Sequence, residues 1–169
     1  MEYVGEQNIK KLCNFYVSDL HLSVMLLPYI SKQINEDVEI TTIFEKLKKE
    51  NVETILDKLN VNNKEKIMQI NWFNNANLDE EKEKLIDEKI KKAINNGGKN
   101  HKKITIIIGG NKSYVLKNNE KIMKYLKENK GYTDIKIIDC YDVEEVGENI
   151  ASIIKEYNGV LNTSGEKAV

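Results

Sequence analysis

The chain has 169 residues, and its 26 basic and 27 acidic side chains leave a formal net charge of -1 at pH 7. That balance gives no support for a nucleic-acid partner, because such binding rests on a clustered positive field that neutralises phosphates. The length suits one domain that buries about two-thirds of its unfolded surface, and no apolar run approaches the ~20 residues of a membrane span.

The elements alternate along the chain. "LCNFYV" (12–17) is aromatic and β-branched and reads as a strand. Ser18 and Asp19 offer a helix cap, after which Leu20, Val24, Leu27, Ile30 and Ile34 follow at helical spacing. Pro28 falls inside that pattern, where its missing N–H predicts a kink or a split. "VEITTIFE" (38–45) is the second predicted strand, followed by a short helix capped by Asn51 and carrying Val52, Ile55, Leu56 and Leu59. "KIMQINWF" (66–73) reads as the third strand.

A long amphipathic helix then carries Leu85, Ile86, Ile90, Ala93 and Ile94 and is predicted to stop at Gly97-Gly98. The segment "NNGGKNHKK", with His101, reads as a surface turn. "ITIIIGG" (104–110) is a continuous apolar run, as expected for a parallel strand covered on both faces. A helix with Ile122, Met123 and Leu126 follows, then a fifth strand, "DIKIIDCYD" (134–142), and a last helix from Val143 to Tyr157 stopped by Gly159. "VLNTSGEKAV" offers a short sixth strand. The expected fold is a three-layer α/β/α domain over residues 1–169, with a mostly parallel five- or six-stranded sheet and frayed ends at 1–10 and 162–169. No signal-peptide pattern opens the chain, which predicts a cytoplasmic protein. Cys13 and Cys140 lie in apolar runs and read as buried, inert thiols rather than a disulfide.

Gly109-Gly110-Asn111-Lys112-Ser113 nearly spells a nucleoside-triphosphate loop. That loop needs G-x-x-x-x-G-K-[ST], in which backbone amides surround the phosphates and lysine directly follows the last glycine. Here Asn111 separates Gly110 from Lys112, and Ile106, four residues before Gly110, is still in strand. The segment is too short to wrap a phosphate and reads as a βα turn. Ligands of open parallel sheets bind beyond the carboxyl ends of the strands. The residues predicted there are Tyr16, Ser18, Asn71, Trp72, Gly109, Gly110, Asn111, Ser113, Asp139, Tyr141 and Asp142. No two of Cys13, His21, His101 and Cys140 stand at metal-ligand spacing, and no serine sits in a G-x-S-x-G elbow. No catalytic residue, metal or cofactor is assigned.

In this order the elements resemble the MEDS domain, a sensory domain named from methanogens and methylotrophs. The likeness rests on "LCNFYVSDLHLSVMLLPYI", with Cys13, Tyr16, Leu26, Pro28 and Tyr29, and on "IIDCYDVEEVGENIASIIKEYNGVL", with Cys140, Tyr141 and Asp142. The chain departs from that pattern at Lys11, where the family often has histidine. It departs again at "KITIIIGGNKSY", in place of an Arg-rich strand, and at Tyr157-Asn158-Gly159, in place of His-Pro. The resemblance implies a core similar to RecA-like and KaiC-like ATPases without their phosphate loop. It also implies a non-catalytic sensory or regulatory role. Because family members are attached to DNA-binding, kinase or anti-sigma modules, this chain is expected to act in trans on a regulator, kinase or sigma/anti-sigma partner, or as a homodimer. Two other readings stay open: a small nucleotide- or phosphate-binding enzyme using Gly109, Gly110 and Asp139, and a dimerisation or adaptor protein with the Pro28 helix in its interface.

Overall fold

The structure, a computed structural model, describes residues 7–74, 79–100, 102–128 and 133–169. In chain order the elements are β1 (Gln7–Tyr16), α1 (Asp19–Asn35), β2 (Glu39–Phe44), α2 (Lys49–Leu56), α3 (Lys64–Gln69), β3 (Asn71–Asn74), α4 (Glu80–Asn100) and β4 (Lys103–Gly110). They continue with α5 (Lys112–Glu128), β5 (Thr133–Asp142), α6 (Val143–Val146), a 3-10 turn (Gly147–Asn149), α7 (Ile150–Ile154), β6 (Gly159–Asn162) and β7 (Gly165–Ala168). The strands form one seven-stranded sheet in the order β3-β2-β4-β5-β1-β6-β7. Every neighbouring pair is parallel except β6 with β7.

Helices cover both faces, so the inner strands are apolar on both sides. On one face Leu12, Ile107 and Ile138 pack with Leu26, Leu27 and Ile30 of α1 and with Val52 and Ile67 of α2 and α3. On the other, Ile106, Ile108 and Ile137 pack with Ile90 and Ile94 of α4 and Val115 and Ile122 of α5. Each such side chain, fully buried, contributes about 1.5–3 kcal/mol. The α/β/α architecture expected from the alternation is therefore present, with seven strands among the described residues rather than five or six because β7 was not foreseen.

Several local readings are corrected. "KIMQINWF" divides into α3 and the four-residue β3. Ile67 is buried under α1 in helical geometry, while Asn71 to Asn74 form a half-buried edge strand. A continuous apolar run of this length fits either element, and packing decided between them. Asn51 lies inside α2, whose cap is Lys48. α1 continues through Pro28. α4 passes Gly97 and runs to Asn100; a Cβ at Gly97 would stand 2.2 Å from Ile104 Cδ1, so this glycine serves close packing of the helix end on β4. His101 lies outside the described residues. The predicted last helix is interrupted at Gly147, whose φ of +42° favours glycine. Residues 162–169 are not frayed: four residue pairs join β6 to β7, across a turn in which Asn162 Oδ1 accepts from Ser164 N at 2.9 Å. β1 is longer than predicted, starting at Gln7, and residues 1–6 lie outside the described residues.

Candidate functional site

At the carboxyl edge of the sheet Ser18, Asn111, Ser113 and Asp142 are engaged in caps and turns of the chain itself. Ser18 caps α1 by accepting from His21 N at 3.1 Å, and Asp142 caps α6 by accepting from Glu144 N at 3.0 Å. Asn111 Oδ1 accepts from Tyr114 N at 2.8 Å and from Ser113 Oγ at 2.9 Å. The amides at the start of α5, where a phosphate would need to sit, face carboxylates of the chain itself. Asn111 N and Nδ2 donate to Glu45 at 3.2 and 2.8 Å, and Lys112 N donates to Glu145 at 3.3 Å. Gly109 and Gly110 are small because neighbours crowd them: a Cβ at Gly109 would stand 2.6 Å from Phe44 Cδ1, and one at Gly110 2.8 Å from Glu45 Cβ. Tyr16 is buried at the end of β1, and burial holds its phenol protonated.

Asn71 and Trp72 are not at this edge. They open β3, because α3 takes the residues expected to begin that strand. Trp72 Nε1 donates to Ile67 O at 2.9 Å, and its ring stacks on Phe44 with centroids 6.1 Å apart. The carboxyl end of β3 is Asn74, whose amide donates to Glu45 O and Leu47 O at 3.2 Å each.

Asp139 and Tyr141 are buried rather than exposed at a rim. Asp139 accepts from Asn119 Nδ2 at 2.9 Å on both oxygens and from Tyr157 OH at 2.6 Å. Since Tyr157 spends its hydrogen there, Tyr141 OH donates to Tyr157 across 2.5 Å. Burial raises the Asp139 pKa, and the bonds from Tyr157 and Asn119 and the charge of Lys11 oppose it without cancelling it. This buried network ties β5 to α5 and to the segment before β6.

Two larger cavities lie elsewhere, one at the opposite, amino edge of the sheet and one between α1 and the β6–β7 hairpin. Ile40, Thr105, Lys136 and Lys10 stand in register across β2, β4, β5 and β1. A cavity of about 480 Å³ includes Lys10, Lys103, Thr105 and Asp134 in its wall. A second, of about 570 Å³, lies between Pro28, Tyr29 and Lys32 of α1 and the β6–β7 turn. Gln33, Glu36 and Lys136 belong to both. At their junction Glu166 of β7 accepts from Tyr29 OH at 2.7 Å, pairs with Lys10 at 3.2 Å and contacts Lys136 Nζ. Lys136 also donates to Tyr29 OH at 3.0 Å and lies 5.6 Å from the centre of its ring. Gln33 is held by Thr105, whose hydroxyl donates to Gln33 Oε1 at 3.0 Å. Burial works against ionising Glu166, but the hydrogen bonds from Lys136 and Tyr29 and the lysine charges prevail, and its pKa falls to about 2. This cluster was missed in the sequence. Its one local signal is a lysine between apolar residues in a strand covered on both faces, as in Ile135-Lys136-Ile137.

Among the described residues no group of three or more His, Cys, Asp or Glu side chains is arranged to hold a metal ion, and no helix is long and apolar enough to cross a membrane. No family model matches the chain, and no curated protein matches it.

Proposed function

We propose that the chain is a non-catalytic sensory or regulatory domain. It binds a small polar ligand in the groove at the amino edge of the sheet and passes that occupancy to a protein partner of regulator or kinase type. The observation that carries this reading is the junction of the two cavities, where charged and polar side chains from β1, β5, α1 and β7 converge beside open space. Few convergent polar groups in a concavity of several hundred Å³ are what small-molecule sites present. Two further points support it. The resemblance to MEDS domains implies a sensory role, and Ser18, Asn111 and Asp142 of the carboxyl edge are engaged as helix caps, which favours the other groove.

The test is an amide-resolved NMR titration of the full chain with a panel of small metabolites, including ATP with magnesium. The expected result is a set of shifts at Gln33, Thr105, Lys136 and the β6–β7 turn. Shifts confined to Asn111, Lys112 and Ser113 on adding ATP would replace this reading with a nucleotide-binding enzyme. A panel that moves no groove amide would refute it.

A further inference from the structure

We infer that Lys10, Lys136 and Tyr29 form an anion subsite for a carboxylate or phosphate group, and that Glu166 of the chain itself occupies this subsite in the free protein. The inference rests on the groove reading above and names the chemistry of its ligand.

Three donors from three separate elements aim at one carboxylate: Lys10 from β1, Lys136 from β5 and Tyr29 from α1. Anchoring an edge strand does not require so many, and a partly exposed ion pair contributes only about 0–1 kcal/mol. The two lysines are reachable from solvent, with 49 % of the Lys10 side chain exposed, while Tyr29 is buried and meets the second cavity at its wall. The Lys136 and Glu166 side chains retain 22 % and 27 % of their exposure, and both line the second cavity. An external anion can therefore meet both lysines from solvent, and Tyr29 once Glu166 has left it.

The hairpin that carries Glu166 is anchored through β6, and its outer strand β7 is the sheet edge. β7 pairs with β6 alone, and β6 pairs with β1 over two residue pairs, Leu12 with Gly159 and Cys13 with Val160. At the root of the hairpin Asn158 N donates to Lys11 O and Lys11 N to Asn158 Oδ1, both at 2.8 Å, while Leu161 O accepts from Asn14 Nδ2 and Val169 N donates to Asn158 O. Glu166 is thus the polar clasp of a short terminal hairpin. Binding is an exchange in which the ligand anion enters, Glu166 leaves for water, and β7 loses its tie to α1 and β5. The donors are the same before and after, so the ligand's advantage comes from Lys32 and Gln33 in the rest of the cavity wall, which must outweigh the carboxylate of Glu36 that lines both cavities. The released hairpin is the change a partner can read.

The experiment titrates the full chain with succinate and, separately, inorganic phosphate, at ionic strength held constant with sodium chloride. Affinity is read from amide shifts, and amide hydrogen exchange is followed at Lys167 and at Val169, whose N–H bonds Asn158 O. Removing the internal competitor raises the fraction of free subsite, so Glu166→Gln binds one or both anions about tenfold or more tightly than the natural chain. Lys136→Met loses that binding, with Lys10→Met as the replacement if Lys136→Met does not fold. In the natural chain the bound anion speeds exchange in β7. Equal affinity of Glu166→Gln and the natural chain overturns the inference, as does unchanged β7 exchange at saturation. If neutral or cationic metabolites shift Gln33 and Thr105 while neither anion shifts Lys136, the anion subsite is wrong and the groove reading stands. If nothing moves the groove, both fall.

Discussion

Tyr157 gives its phenolic hydrogen to Asp139 over 2.6 Å, in the core between the sheet and α5. Asp139 is 0 % exposed, so no water replaces a lost donor without rearrangement. Tyr157→Phe is expected to destabilise the fold by about 1–3 kcal/mol, the cost of an under-bonded buried acceptor. Tyr141→Phe should cost less, because Tyr141 only donates into Tyr157. Urea denaturation of the two variants checks the order.

The same carboxyl has a pH signature. Its pKa is raised in the folded state, so the fold favours its neutral form. The stability it contributes is present below the unfolded value, about 3.9, and is lost as pH rises through the folded value. Asp139→Asn lacks this loss. Relative to the natural chain, the variant should therefore gain ground as pH is raised from about 4 toward neutrality, as read by melting temperature across that range. A constant difference would count against the raised pKa.

Glu166 has the opposite sign. Its pKa of about 2 lies below the unfolded value. The stability it contributes is present above about 4.3 and is lost as pH falls toward 2. Thermal melts between pH 2 and pH 6 should show a shallower acid limb for Glu166→Gln than for the natural chain. Identical limbs would mean that the Lys10, Lys136 and Tyr29 contacts do not act on this carboxylate.

Cys13 and Cys140 sit on neighbouring strands, with Asn14 the register partner of Cys140. Their side chains enter the cores on opposite faces of the sheet, Cys13 that of α4, α5 and α7 and Cys140 that of α1. Both are free and buried. Burial, with the Asp139 charge adding to it, pushes the Cys13 thiol up to about 11 and holds Cys140 well above its ordinary value. The thiolate is the reactive form, so neither residue should react with a thiol reagent in the native state, and both should react once urea unfolds the chain. Rapid native labelling of either would contradict this packing.

The turn after β4 separates packing from ligand chemistry. Gly109→Ala places a methyl 2.6 Å from the Phe44 ring and should cost about 1–3 kcal/mol by overpacking. Lys112→Ala changes an exposed side chain and should stay within about ±0.5 kcal/mol. Differential scanning calorimetry distinguishes them. The reverse order would show that this turn is held by its lysine rather than by close packing of its glycines.

The places where sequence reading failed share a cause. Ile67, Met68 and Ile70 form a run whose apolar residues suit a strand or a helix turn, and only the position of α1 above Ile67 selects the helix. Gly97 looked like a helix stop, but its missing Cβ is filled by Ile104 of β4. The tail looked frayed because Gly165-Glu166-Lys167-Ala168 has little apolar content. It is ordered by pairing with β6 and by Glu166 contacts to residues more than a hundred positions earlier in the chain.

The sequence by itself determined the alternation of strands and helices, the cover on both faces of the sheet, the Ser18 cap and the burial of both thiols. These follow from periodicity and local chemistry, which act over a few residues and so are written in short windows. Only the tertiary structure decided where the polar groups meet. Lys10, Tyr29, Lys136 and Glu166 converge because β1 lies between β5 and β6, and that order is set by how crossovers pass over the sheet. A lysine's local pattern states which face it takes, not which strand will stand beside it. The groove therefore opens at the amino edge, while at the carboxyl edge, where the turn residues promised a ligand, Ser18, Asn111 and Asp142 serve as helix caps.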